Sequence, residues 1–198
     1  YHVLFNGQKT HSGVALISRS PMQHLLTAFP KFDDPQRRIL MANLASLRIV
    51  NIYVPNGASL DSEKYTYKLR WLKQLKAYLE QELVRHPNLI VLGDFNIAPE
   101  DRDVHDVKSW QGKVLVSPLE RQALKEIMAL GFKDSFRLFN NQSGHYTWWD
   151  YRAGAFRRNR GLRIDHILTS DAWTSRCIAC DIDKELLLWE KPSDHVPV

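Results

Sequence analysis

The tightest constraint in this sequence is an apolar run that stops at a glycine and gives way to an acid and an amide. In Asn88–Glu100, NLIVLGDFNIAPE, the run Leu89-Ile90-Val91-Leu92 reads as a strand buried on both faces. Gly93 ends it, and Asp94, Phe95 and Asn96 follow. Side chains alternate along a strand, so Asp94 and Asn96 are expected on one face and Phe95 in the core. A carboxylate and an amide side by side at the end of a rigid element suit a hard cation, or a water held near a phosphate. A Gly-Asp turn with Asn96 capping the loop accounts for the same residues.

Around this stretch the chain alternates strands with two helices. Tyr1–Phe5 and Gly13–Ser18 read as strands, with a turn at Asn6-Gly7. Residues 23–35, with two prolines, read as loop. Arg38–Leu44 and Leu47–Val54 read as a hairpin pair ending in Pro55-Asn56-Gly57. Ser62–His86 is a long amphipathic helix, with Leu69, Leu72, Leu75, Leu79 and Leu83 at spacings of three and four, stopped by Pro87. Ser117-Pro118-Leu119-Glu120 is a capping box with Pro at the first helical position, opening a helix to about Leu130. Ile164–Thr169, Arg176–Ile182 and Glu185–Trp189 read as strands. Sheets with helices between their strands predict an α/β layered domain.

With 198 residues, 44% of them hydrophobic, the chain suits one well-packed domain. Its net charge of +5 favours polyanionic partners only modestly. No apolar run is long enough to span a membrane and none has a signal-peptide pattern, so no membrane partner is expected. Cys177 and Cys180 face opposite sides of their predicted strand, which implies neither a metal site nor a disulfide. Two reduced cysteines in a reducing compartment are expected. Tyr1 in place of Met, and a closing His195-Val196-Pro197-Val198 that resembles the start of a strand, read as ends of a fragment.

Several polar residues share a placement at or near the ends of apolar strands. They are Tyr53 with Asn56, Asp94 with Asn96, Asp165 within RIDHIL, and Asp194 with His195. Each has an ordinary alternative: a core tyrosine, a buried hydrogen-bonded acid, a turn. Gathered in one pocket without an activated Ser or Cys, they point to metal-assisted hydrolysis. Tyr146–Arg163 is the second signal. Its aromatics and arginines suit nucleic acid, since guanidinium groups grip phosphates and aromatic faces meet unstacked bases. Trp149 is expected in the core, with the arginine loop on the surface.

These blocks are NIYVPNG (Asn51–Gly57), LGDFNIAPEDRDVHD (Leu92–Asp106), YTWWDYRAGAFRRNRGLRIDHIL (Tyr146–Leu168) and KPSDHVPV (Lys191–Val198). In order and spacing the chain resembles the exonuclease III-type apurinic/apyrimidinic endonucleases. GDFN and SDH recur across the wider endonuclease/exonuclease/phosphatase superfamily; the WWDYR…RRNRGLRID block resembles its DNA-repair branch. The resemblance implies a DNase I-like, four-layered α/β/β/α sandwich. Residues 1–198 would be a single domain lacking its N-terminal segment and last strand. It implies Mg²⁺ or Mn²⁺, and cleavage of duplex DNA 5′ of abasic sites and at 3′ ends. It also implies a monomer acting in the bacterial cytoplasm at the nucleoid.

Residue by residue, the resemblance implies that Asp94 orients and deprotonates the attacking water and that Asn96 holds the scissile phosphate. Tyr53 and Asn56 would contact phosphate, and His195, oriented by Asp165, would stabilise developing charge. Asp94, Asn96, Asp194 and His195 would form the metal pocket. Asn56, Trp148, Arg152, Arg157, Arg158, Asn159 and Arg160 would engage DNA. The family's N-terminal Asn strand and principal metal-ligand glutamate have no counterpart from Tyr1 onward; Glu63, Glu80, Glu82 and Glu100 stand in other contexts. The 198-residue piece alone is therefore expected to be poorly active. The rival expectations are a catalytically impaired DNA-binding remnant and a phosphatase or lipid phosphodiesterase of the same superfamily.

Overall fold

A computed structural model describes residues 1–10 and 12–198. Its centre is a six-stranded sheet in the order β3-β4-β5-β6-β10-β7. These strands are β3 (Gln23–Leu26), β4 (Ile39–Leu44), β5 (Leu47–Tyr53), β6 (Leu89–Asp94), β10 (Asp165–Ser170) and β7 (Phe132–Asp134). Strands β5 and β6 are parallel, and every other neighbouring pair is antiparallel. A parallel pair needs a long crossover. Helix α1 (Glu63–Arg85) supplies it, capped by the Ser62 hydroxyl, which accepts from the Tyr65 N–H.

Trp71, Leu72, Leu75 and Leu79 of α1 pack with Val50, Ile52, Val91 and Leu168 of the sheet. Helix α2 (Pro118–Met128) joins them with Leu124 and Ile127, and it starts at the expected capping box between Ser117 and Glu120. All ten side chains are essentially removed from water, each stabilising the fold by about 1.5–3 kcal/mol before the entropy of ordering is counted. The buried stripe of α1 also contains Lys68 and Glu82, which sequence periodicity does not mark as core.

Two smaller ladders lie on the opposite face. Strands β1 (His2–Gly7) and β2 (Gly13–Ser18) form a hairpin whose Leu4 and Leu16 pack on Leu40 and Ala42. Val3, Phe5 and Ile17 on its outer face are exposed. Strands β8 (Trp148–Trp149) and β9 (Gly161–Leu162) pair antiparallel. The molecule is thus the expected mixed α/β sandwich, with a helix layer, a central sheet, and a second β layer made of two pieces.

Local expectations fare unevenly. Strand β3 lies in a segment read as loop and pairs with the edge of β4. Residues 176–182 form no ladder, and Ile178 is exposed; strand propensity forms nothing without a neighbouring edge. Glu185–Leu188 is a 3₁₀ turn, set up by the Asp183 carboxylate accepting the Glu185 N–H. The last residues make one bridge, Trp148 to His195, and a hydrogen bond from the Val196 N–H to the Thr147 carbonyl. Trp149 is core, as expected.

Candidate active site

The register of the central sheet builds the site. Tyr53 at the end of β5 stands opposite Asp94 at the end of β6, and Asp94 stands opposite Asp165 at the start of β10. Residues paired across neighbouring strands share a face. The three side chains therefore form one row on the face away from α1. Because β10 runs against β6, its first residue reaches the edge where β5 and β6 finish. Gly93 lets the strands close up there: a Cβ on it would meet the Ile52 carbonyl oxygen at 2.0 Å.

This row floors an open cleft of about 560 Å³, lined also by Gly13–Ala15 of β2, Asn51, Asp194 and His195. Asn51 Nδ2 donates to the Ala15 carbonyl at 2.7 Å and holds the hairpin against the cleft wall. His195 Nδ1 lies 2.9 and 3.1 Å from the two Asp165 oxygens. Burial opposes charge on this ring, but the hydrogen bond and charge of Asp165, with Asp94 and Asp194 nearby, push it up to about 9. Asp94 has the opposite problem. Burial of its carboxyl and the neighbouring Asp165 charge push it up to about 7, against the pull of His195.

Asn96 is placed differently from the expectation. Strand β6 ends at Asp94, and Asn96 turns into the left-handed region with φ +50°, so strand alternation stops before it. Its side chain is buried rather than facing the cleft. Asn96 N–H donates to Asp94 Oδ1 at 2.8 Å, and its Nδ2 donates to Asp94 Oδ2 at 2.9 Å and the Val54 carbonyl at 3.0 Å. Asn56 Nδ2 in turn donates to Asn96 Oδ1 at 3.1 Å. The two amides form a bracket behind Asp94.

Asp94, Asp165 and His195 each offer a ligand atom, and these atoms lie within 4.8 Å of one another. Two carboxylates and an imidazole on an open cleft fit a divalent cation that keeps further positions for water and phosphate. Asp165 joins Asp94 and His195 in this group, while Asn96 lies behind Asp94 and Asp194 lines the same cleft. Asp194 Oδ2 accepts from Trp148 Nε1 at 3.0 Å, and the Trp148 ring packs edge-on against Trp110 at 6.3 Å. Trp148 is thereby tied into the cleft wall. Arg152, Arg157, Arg158, Asn159 and Arg160 are exposed on the loop beside it, with Arg157 and Asp194 lining one smaller cavity.

Sequence reading missed the charged layer behind the row. Arg163, counted there with the basic loop, is buried between Asp103 and Asp134, with Nε 2.7 Å from Asp103 and Nη2 2.7 Å from Asp134. Arg137 also pairs with Asp103. Arg163 Nη1 donates to His166 Nδ1 at 3.0 Å, so His166 is the neutral Nε2–H form and donates to the Ile97 carbonyl at 2.8 Å. The available signal was position: Arg163 and His166 flank Asp165 in RIDH, and Asp103 follows GDFN closely.

A row of acids and an imidazole at an open cleft, beside an arginine-bearing loop, defines a hydrolytic site for phosphoesters. Similarity narrows the class. The model of the Endonuclease/Exonuclease/phosphatase family matches residues 1–195. Exodeoxyribonuclease III of Haemophilus influenzae is 38% identical over 211 residues, covering all of this chain and 79% of that protein. Exodeoxyribonuclease of Bacillus subtilis is 31% identical, covering all of this chain and 78% of that protein. A 3′ phosphatase from Neisseria, solved bound to a product DNA hairpin, superposes with TM-score 0.96 at 42% identity, over 98% of this chain and 76% of the other. An AP endonuclease from Archaeoglobus fulgidus superposes with TM-score 0.91 at 38% identity, over 99% and 77%. The chain belongs to the endonuclease/exonuclease/phosphatase family, in its exonuclease III-type branch.

Proposed function

We propose that this protein is a divalent-metal-dependent DNA-repair phosphodiesterase, a monomer using Mg²⁺ or Mn²⁺. It hydrolyses duplex DNA at blocked 3′ ends and 5′ of abasic sites. The observation that carries the reading is the single row Tyr53, Asp94, Asp165 with His195 docked on it. Asp94 and Asp165 would hold the cation, which when bound would polarise the phosphate and neutralise charge on its oxygens, leaving the His195 ring beside them free to act as a donor.

The chain's own groups do the rest. Asp94, held by both donors of Asn96, is aimed to orient a water and take its proton. His195, kept charged by Asp165, faces the cleft as a donor to oxygens that gain charge in the transition state. The Tyr53 hydroxyl adds a donor at the far end of the row. The exposed arginines beside Asp194 suit phosphates flanking the reacting one.

The test incubates the protein with two duplexes, one with an internal abasic site and one with a 3′-phosphate, and separately with an inositol phosphate and with sphingomyelin, each with Mg²⁺, with Mn²⁺ and with chelator. Metal-dependent turnover of either duplex supports the reading, and the ratio assigns the preferred lesion. Equal product with chelator, or turnover confined to inositol phosphates or sphingomyelin, would overturn it.

A further inference from the structure

Lys68 lies on the buried face of α1, in its second turn, fully removed from water. An ammonium has three N–H groups, and all three are used. Nζ donates to the Asn96 carbonyl at 2.7 Å, to the Asn56 carbonyl at 3.1 Å, and to Glu120 Oε1. The first two belong to the loops leaving β6 and β5, the strands that carry Asp94 and Tyr53. One charged atom thus joins the two loops behind the cleft.

Glu120 is itself anchored at both oxygens. Its Oε1 accepts from the Leu115 N–H and its Oε2 from the Ser117 N–H, both at 3.0 Å, the second as part of the capping box of α2. Asn96 is the element that needs holding. It is a non-glycine residue at positive φ, a conformation that persists only where its surroundings enforce it. Through its N–H and Nδ2 it also sets the orientation of the Asp94 carboxylate. A methionine at position 68 would fill similar volume without the cost of burying an ammonium, and buried ion pairs contribute weakly to stability. Only a multiple donor tethers two carbonyls and a carboxylate.

We propose that Lys68 is a positioning residue: it clamps the Asn56 and Asn96 loops and so fixes the aim of the Asp94 carboxylate, with Glu120 as its anchored counter-charge. This rests on Asp94 acting as proposed above. Lys68 touches neither substrate nor cation.

The test is the double variant Lys68→Met/Glu120→Gln, which removes both charges together. Three quantities are read: thermal unfolding, kcat and KM at saturating metal, and hydrogen exchange of the Asn96 amide. A folded variant is expected to lose about 100-fold in kcat, the scale of an ångström misplacement, with KM changed less than about threefold. The Asn96 amide is expected to exchange roughly tenfold faster, because its loop opens locally. Wild-type kcat, or wild-type exchange at Asn96, in the folded variant overturns the clamp. If the double variant does not fold, Lys68→Gln keeps two of the three N–H donors on a shorter side chain and is expected to show the same pattern at about tenfold in kcat; wild-type values there overturn it equally. Exchange is read without substrate, so it decides the clamp even where no DNA is turned over, a result that sinks the functional reading alone.

Discussion

Asp94 and Asp103 are the same residue type, nine positions apart, and the protein drives them in opposite directions. Asp94 faces the like charge of Asp165, and burial and that repulsion push it up to about 7. Burial would raise Asp103 too, but the Arg163 and Arg137 guanidiniums overcome it and hold Asp103 below the usual carboxylate range. One acid is left short of countercharge at an open cleft, and the other is saturated with it inside the fold. The difference separates chemistry from architecture: a group poised to exchange a proton needs an unfinished environment, while a structural acid needs a complete one.

Removing each acid should expose that division. Asp94→Asn is expected to cut hydrolysis of a lesion-bearing duplex about 10³-fold, with unchanged or raised thermal stability. If it unfolds the protein instead, the contrast fails. Arg163→Met leaves Asp103 and Asp134 buried without their shared partner, and should cost about 3–5 kcal/mol in urea unfolding.

Acid should strike the inner network first. Burial and the Arg163 charge hold His166 below its ordinary value, so the folded state refuses a proton that the unfolded chain accepts. The His166 contribution is then complete above about pH 6.5 and is lost as pH drops below it, with a further loss below about pH 4 from Asp103, while Asp94 and His195, pushed up to about 7 and about 9, contribute in the opposite sense as pH rises. Urea midpoints at pH 7.5, 5.5 and 3.5 measure this, and His166→Gln should flatten the first step. The smallest effect belongs to the outer loop. Arg158→Ala should weaken duplex binding and lower the salt dependence of binding by about one unit in slope, leaving kcat at saturating DNA unchanged. An unchanged slope would take Arg158 off the phosphate track.

The motifs that announce the site are short and lie at strand ends, so Tyr53, Asp94, Asp165 and His195 were legible before any coordinates. Asn96 was misplaced, because alternation assumes that the strand continues and a single positive φ ended it. Lys68, Glu120, Asp103 and Arg163 were invisible as core. Local sequence marks a charge as exposed, and only a partner many positions away makes its burial tolerable: 52 residues for Lys68 and Glu120, 60 for Arg163 and Asp103. Residues 176–182 failed for the converse reason, since a strand needs a neighbour that composition does not reveal.

The row Tyr53, Asp94, Asp165 has a consequence for folding. Its three members come from strands with independent connections, a helix between the first pair and 70 residues between the second. A slip of one residue in any of the three would turn that side chain to the opposite face and dismantle the cleft, while leaving strand content and compactness nearly intact. Catalytic turnover therefore reports pairing fidelity that spectroscopic measures of secondary structure overlook. In refolding, recovered activity divided by recovered ellipticity should give the fraction of molecules whose sheet has closed in its native alignment.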